Sequence, residues 1–319
     1  MKWLISILFF VFSVQAQTTI KPYDFIKASG NVIDIVVYDD MLVASTDKGA
    51  IESYNIETKN RLMQVKFPMI KDFMGDDIYP KVFSTDYLKI SKKYLAVVQA
   101  HSGYRELFII KDGKKTRLIS SKDKHFISKA KFVDENRIMI ALLSNEFILY
   151  DIKDRKEIYR VHVSYSHFSD FMLSEDKSTL VGSSESGEIT VLNVEDGKII
   201  KVLKGGNVDN VYKVDIKNSK VLAAGQDRRA IVYDLDTGSY SRHDGHFLIY
   251  AGALSPSAKK AAFAFTEDND IVIFDTVLDK QLYTLKGQKS TLNSIVFIGE
   301  DKLVSGSDDE FIMLWKLKD

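Results

Sequence analysis

The chain has 319 residues, with 44 Lys and Arg against 44 Asp and Glu, so no overall field draws it to nucleic acid or to an anionic membrane. It contains no cysteine, which excludes disulfides, thiolate metal sites and a cysteine nucleophile together. Stability must come from packing, and a partner must be recognised locally.

Met1-Lys2 gives a positive start, residues 3–14 are almost uniformly apolar, and Val14-Gln15-Ala16 supplies small residues. This pattern predicts a secretory signal peptide over residues 1–16, cleaved after Ala16, and a mature domain over 17–319. About 12 apolar residues fall short of the roughly 20 needed to cross a bilayer. The expectation is a soluble, exported protein without a membrane span.

From there the chain is a succession of short strand patterns separated by turns. The residue ending each third strand recurs as Tyr54, Ile110, Tyr150, Leu192, Tyr233, Phe274 and Trp315. The intervals are 56, 40, 42, 41, 41 and 41, so one period holds across the chain and only the first spacing is long. Asp112-Gly113, Ser186-Gly187, Asp196-Gly197 and Asp236-Thr237-Gly238 are hairpin turns at matching offsets. None leads from a strand into a helix, so none is a phosphate loop. The last two copies are the clearest. One opens at Gly245-His246 and runs to Ile271-Val272-Ile273-Phe274-Asp275; the other runs through Lys302-Leu303-Val304-Ser305-Gly306-Ser307 and Asp308-Asp309 to Ile312-Met313-Leu314-Trp315.

These copies resemble the WD-repeat family. The resemblance implies an all-β fold, a seven-bladed β-propeller of four-stranded antiparallel blades. It also implies a network in each blade of His, Ser or Thr, Asp and Trp. Blade six has His246 and Asp268 but Ala264 and Phe274; blade seven has Ser305, Asp309 and Trp315 but Gln288; blade five keeps Asp227. Such blades rely on apolar packing.

Blade seven stops at residues 316–319, after its third strand, which would leave an unpaired edge. The segment 20–27 precedes blade one as fourth strands precede later blades, so it is expected to complete blade seven and close the ring. Pro22 is tolerable there, on an outer edge. Blade two is expected from Thr85.

Between blades one and two lies the extra length, residues 68–84, bracketed by Pro68 and Pro80. It carries Phe73, Met74, Ile78 and Tyr79 beside Asp72, Asp76 and Asp77. Aromatics rimmed by charge suit a recognition surface, which makes Asp72, Phe73, Asp76, Asp77, Ile78 and Tyr79 the candidate partner-binding residues. The alternative is a lid packed on the neighbouring blade.

Residues 111–131 hold eight Lys or Arg and only Asp112 and Asp123 as acids; they read as solvated turns and edge lysines. His125, His167 and His246 lie near connections of one face, but no His-x-x-x-His or Glu-x-x-His spacing occurs, so no metal site is assigned. No innermost strand is expected to concentrate carboxylates, His and Arg, and no nucleotide, haem or quinone motif is legible; neither a catalytic residue nor a cofactor is assigned.

The leader, the repeats and the segment 67–80 together resemble the exported propellers encoded with some bacterial nitrate reductases, the NapL accessory type. This resemblance implies a periplasmic, non-catalytic protein-interaction scaffold that supports maturation or electron transfer of periplasmic nitrate reductase. A lactonase-like propeller hydrolase and an envelope-protein assembly scaffold are the alternatives; turnover with a bound divalent ion marks the first, co-purifying outer-membrane proteins the second.

Overall fold

The computed structural model describes residues 18–317; the signal peptide assigned to residues 1–16 lies outside them. Seven blades, each built on four antiparallel strands, stand around a central channel. The innermost strands are Val32–Tyr38, Val82–Leu88, Ile127–Phe132, Phe168–Leu173, Val211–Lys217, Gly252–Leu254 and Leu292–Phe297. Blade two therefore begins at Val82, three residues earlier than the sequence suggested.

The strand sequences follow from their neighbours. Second strands such as Met41–Thr46 and Arg137–Leu142 are buried at nearly every position, because each blade is covered on its two faces by the blades before and after it. Fourth strands such as Lys156–His162 and Ile199–Leu203 are mostly exposed, because they form the rim. The apolar clusters accordingly straddle blades: Val181, Ile189 and Leu203 of blade four pack with Val214, Val221 and Ile231 of blade five.

Ring closure uses the N-terminal segment in two pieces. Asp24–Lys27 pairs antiparallel with Phe311–Lys316 and supplies the fourth strand of blade seven. Thr18–Ile20 instead adds a parallel fifth strand to blade six, beside Lys280–Leu285. The expected single strand over 20–27 is thus divided at residues 21–23. Pro22 lies in the break, where it lacks an N–H for either ladder. Its ring packs so close to Gly287 that a Cβ there would lie 2.9 Å from its Cδ. Ile20 and Ile26 are both buried, so the segment fixes two blades at once.

Six innermost strands carry a register shift one residue from their start, at Ile33, Phe83, Ser128, Ser169, Tyr212 and Asn293. Such a bulge re-aims the side chains that follow. Pairing then sets Asp34, Ser84, Lys129, Asp170, Lys213 and Ser294 at one level, with Val36, Asp86, Lys131, Met172, Asp215 and Val296 two residues further on, on the same face.

Candidate functional site

The insertion between blades one and two is a small hairpin, Ile70–Lys71 against Asp77–Ile78. Its turn is held by Asp72, whose Oδ1 accepts from the Met74 N–H at 2.8 Å and the Asp76 N–H at 2.9 Å, while Gly75 takes the left-handed φ of 90°. Lys71 and Asp77 form an exposed ion pair across it, 2.9 Å apart. The hairpin raises its apolar groups into solvent: Phe73 is 96% exposed, Met74 75% and Tyr79 51%. Asp76 is exposed and Ile78 half-buried. The two rings are not packed down as a lid.

Side-chain networks inside the blades partly follow the WD-like pattern. In blade seven the Trp315 Nε1–H donates to Ser305 Oγ at 2.8 Å, and Ser305 donates to Gln288 Oε1 at 2.7 Å. Gln288 Nε2 then donates to Ser307 Oγ at 2.6 Å. Glutamine, with an acceptor and a donor, takes the relay position expected of histidine. Asn207 takes the matching place in blade five, donating to Asp227 Oδ1 at 3.0 Å. His246 does not do so in blade six: its side chain is exposed, and Gly245 stands four residues before Ile249, as Gln288 stands before Leu292. In blade one, buried Glu52 serves instead, accepting from Tyr54 Oη, Gln64 Nε2 and the Ser29 N–H.

His125 and His167 border one surface depression with Glu146 and Arg160; His246 lies elsewhere, and among the described residues no three His, Cys, Asp or Glu side chains converge as metal ligands.

The charged residues of the innermost strands are the feature the sequence reading missed. Lys129 and Lys131 were placed among solvated turns, yet both are buried beside the channel, 7% and 6% exposed. With them are four buried carboxylates, Asp34, Asp86, Asp170 and Asp215, one on each of four innermost strands. Their alternation with apolar residues, as in Ile127-Ser128-Lys129-Ala130-Lys131-Phe132, is the signal that was available.

Each of these carboxylates fastens one blade to the next. Asp34 accepts from the Thr85 N–H, Asp86 from Phe132, Asp170 from Val214 and Asp215 from Leu254, at 2.8–3.1 Å. Lys129 spans blades three and four by its 2.6 Å bond to Asp170, and Lys213 lies 4.0 Å from the same carboxylate. Burial alone would raise the Asp170 pKa, but Lys129 and Lys213 outweigh it and hold the carboxyl below its ordinary value. For Lys213, burial opposes the charge and the surrounding Asp170, Asp34 and Asp215 override it, so its pKa is raised. Burial prevails at Lys129, whose pKa is lowered, and at Asp215, whose pKa is raised.

The channel holds a cavity of about 350 Å3. Blades one to five give it its charged residues; Ala253, Leu254, Ile295, Val296 and Phe297 of blades six and seven give it an apolar wall. It reaches Tyr38, Ser174, Glu175, Lys177 and Lys217, where innermost strands end. The hairpin interrupts a connection into an innermost strand, so hairpin and cavity mouth belong to opposite faces.

No family model matches the chain, and no curated protein matches it. Solved structures do: 1838 chains match, so broad a set that the likeness marks an architecture. The β-propeller domain of Cps50 (Swd1) from Myceliophteria thermophila is similar with a TM-score of 0.73 and 15% identity, covering 93% of this chain and 99% of that one. Among the described residues no helix is long and apolar enough to cross a membrane. Repeat period, blade topology and structural likeness agree that the chain has a WD-like seven-bladed β-propeller fold.

Proposed function

We propose that the protein is a non-catalytic interaction scaffold, exported to the periplasm after cleavage following Ala16, which docks a protein partner through the hairpin at residues 70–78 and the adjoining Tyr79. The observation that carries this reading is the exposure of Phe73 and Met74 on a turn already fixed by Asp72, with Tyr79 exposed beside the hairpin. Large exposed side chains on an ordered support lose little freedom on binding, and a few such groups dominate the affinity of an interface. Asp76 and Asp77 would form its charged rim. The NapL-type resemblance names the partner: a component of periplasmic nitrate reductase.

The test joins three measurements on the full chain. N-terminal analysis of the secreted protein should begin at Gln17. The tagged protein should recover nitrate reductase subunits from periplasm, identified by mass spectrometry. Phe73→Ala with Tyr79→Ala should abolish that recovery at an unchanged melting temperature, since neither ring is a core residue. Equal recovery by the parent and the folded double variant would sink the assignment to the hairpin; absence of the reductase from the parent's captured proteins would sink the named partner.

A further inference from the structure

The cavity in the channel is unlike a packed core in one respect: its aspartates all accept hydrogen bonds, while the Lys131, Lys213 and Ser294 side chains on its lining make none among the described residues. Asp86 accepts from Tyr38 Oη and from the Phe132 N–H, and Asp215 from the Leu254 and Ile216 N–H groups. Asp34 and Asp170 are engaged as described above. The lysines facing them are otherwise. Lys131 Nζ has its nearest carboxylate oxygen 3.8 Å away, on Asp86, and Lys213 Nζ lies 4.0 Å from Asp170. Both separations exceed hydrogen-bond length. An ammonium offers three donors, so both lysines keep donors free of partners among the described residues, on side chains 8% and 18% exposed. Ser294 Oγ, 1% exposed and lining the same cavity, has no hydrogen-bond partner among the described residues.

Buried polar groups left in this state ask for an acceptor. The opposite wall asks for something else, because Ile295, Val296 and Phe297 with Ala253 and Leu254 present only hydrocarbon. A ligand that answers both walls has an anionic head and an apolar body. The cavity volume of about 350 Å3 falls at the small end of the range of small-molecule sites, roughly 300–1,000 Å3. Lys177 and Lys217 at the mouth add positive charge on the way in, with Glu175 as the one acid among them.

We propose that the channel is a binding site for a small organic carboxylate, its head held by Lys131 and Lys213 and its apolar body laid against the innermost strands of blades six and seven. The same chemistry is presented by a free acid or by the C-terminal carboxylate of a peptide. The cavity size favours the free acid. This site is on the face opposite the hairpin and does not depend on the partner proposed for it.

Calorimetric titration of the intact protein with hexanoate, hexanol and hexylamine tests the assignment. Hexanoate should bind with a Kd of about 1 mM or lower, within what so small a ligand can reach, and the alcohol and amine at least about tenfold more weakly. Lys131→Met and Lys213→Met should each weaken hexanoate binding by about tenfold, the effect of losing one charge-assisted hydrogen bond. Val296→Phe, which narrows the cavity without touching a charge, should also weaken it. The unmutated protein provides an independent reading: the side-chain nitrogen resonances of Lys131 and Lys213 should move on titration with hexanoate. A hexapeptide that displaces hexanoate with a free C terminus, and not when amidated, would assign the carboxylate to a chain end. Equal binding of all three hexyl compounds, or unmoved lysine resonances at high millimolar hexanoate, would overturn the proposal.

Discussion

The junction of blades four and five and the junction of blades six and seven solve one geometric problem with different chemistry. At the first, Asp170 reaches across to the Val214 N–H while Lys129 and Lys213 balance its charge. At the second, Ala253, Ile295, Phe297 and Trp315 join one apolar cluster that also takes in Ile20. The apolar junction needs only shape. The charged one must recover the desolvation of three ions, and a buried ion pair recovers that only when its partners are complete. Both junctions hold a propeller together, so the charged wall is not required by the fold; it gives the channel a chemistry the apolar wall lacks.

Removing one partner should therefore expose the difference most strongly. Asp170→Ala takes from buried Lys129 its bonded carboxylate and from Lys213 its nearest one, and should cost roughly 3–5 kcal/mol, read from the urea midpoint. A loss under 1 kcal/mol would mean that water or another acid takes its place.

Acid should act on one junction and spare the other. The folded Asp170 pKa lies below its ordinary 3.8, so its stabilisation is present above pH 3.8 and is lost as pH falls through the folded value. The melting-temperature gap between the parent and Asp170→Asn should narrow as pH is lowered from 5 through that range. Asp215 acts in the opposite sense: with its folded pKa raised, its contribution is greatest below 3.8 and declines as pH rises. A gap that stays constant down to the folded Asp170 pKa would assign the carboxylate no electrostatic role.

On the apolar side, Ile295→Val removes one methylene from a position 3% exposed and should cost about 0.5–1.5 kcal/mol. That cost should be the same at pH 4 and pH 7, because no ion changes its surroundings. A pH-dependent cost would show that the two walls are coupled. The smallest effect belongs to Ser294→Ala. Its hydroxyl has no hydrogen-bond partner among the described residues, so the melting temperature should change by no more than the equivalent of about 0.5 kcal/mol. A larger loss would reveal an acceptor that holds the hydroxyl in the free protein.

The contrast also explains what could be read from the chain. The period was legible because the next-to-last residue of each third strand is buried between blades, Tyr54 at 3% exposure in the first and Trp315 at 0% in the last, and because hairpin turns recur beside them. The hairpin announced itself as surplus length, although the pairing of Ile70 with Ile78 did not. Lys129 and Lys131 were misread for a definite reason. Polar residues alternating with apolar ones ordinarily mark a half-exposed strand, and in a ring the face that looks exposed is turned to the channel. Only the bulge register shows that Lys129 shares a level with Asp170. The division of residues 20–27 between two blades was equally hidden, because Pro22 can be an edge residue or a break and the sequence alone permits both.

Closure by the N-terminal strand has a consequence for how the protein is made. Phe25 pairs with Met313, so one strand of the pair leaves the ribosome before blades one to six and waits for another made after them. Bringing those ends together costs about 2 kcal/mol more in loop entropy than closing a single blade, and the long separation slows the final step. Blades one to six can assemble as they emerge, since domains grow from the N-terminus during synthesis. The ring cannot. A chain cut short anywhere before Phe311 keeps Asp24–Lys27 unpaired, and that unpaired strand distinguishes an open ring from a closed one.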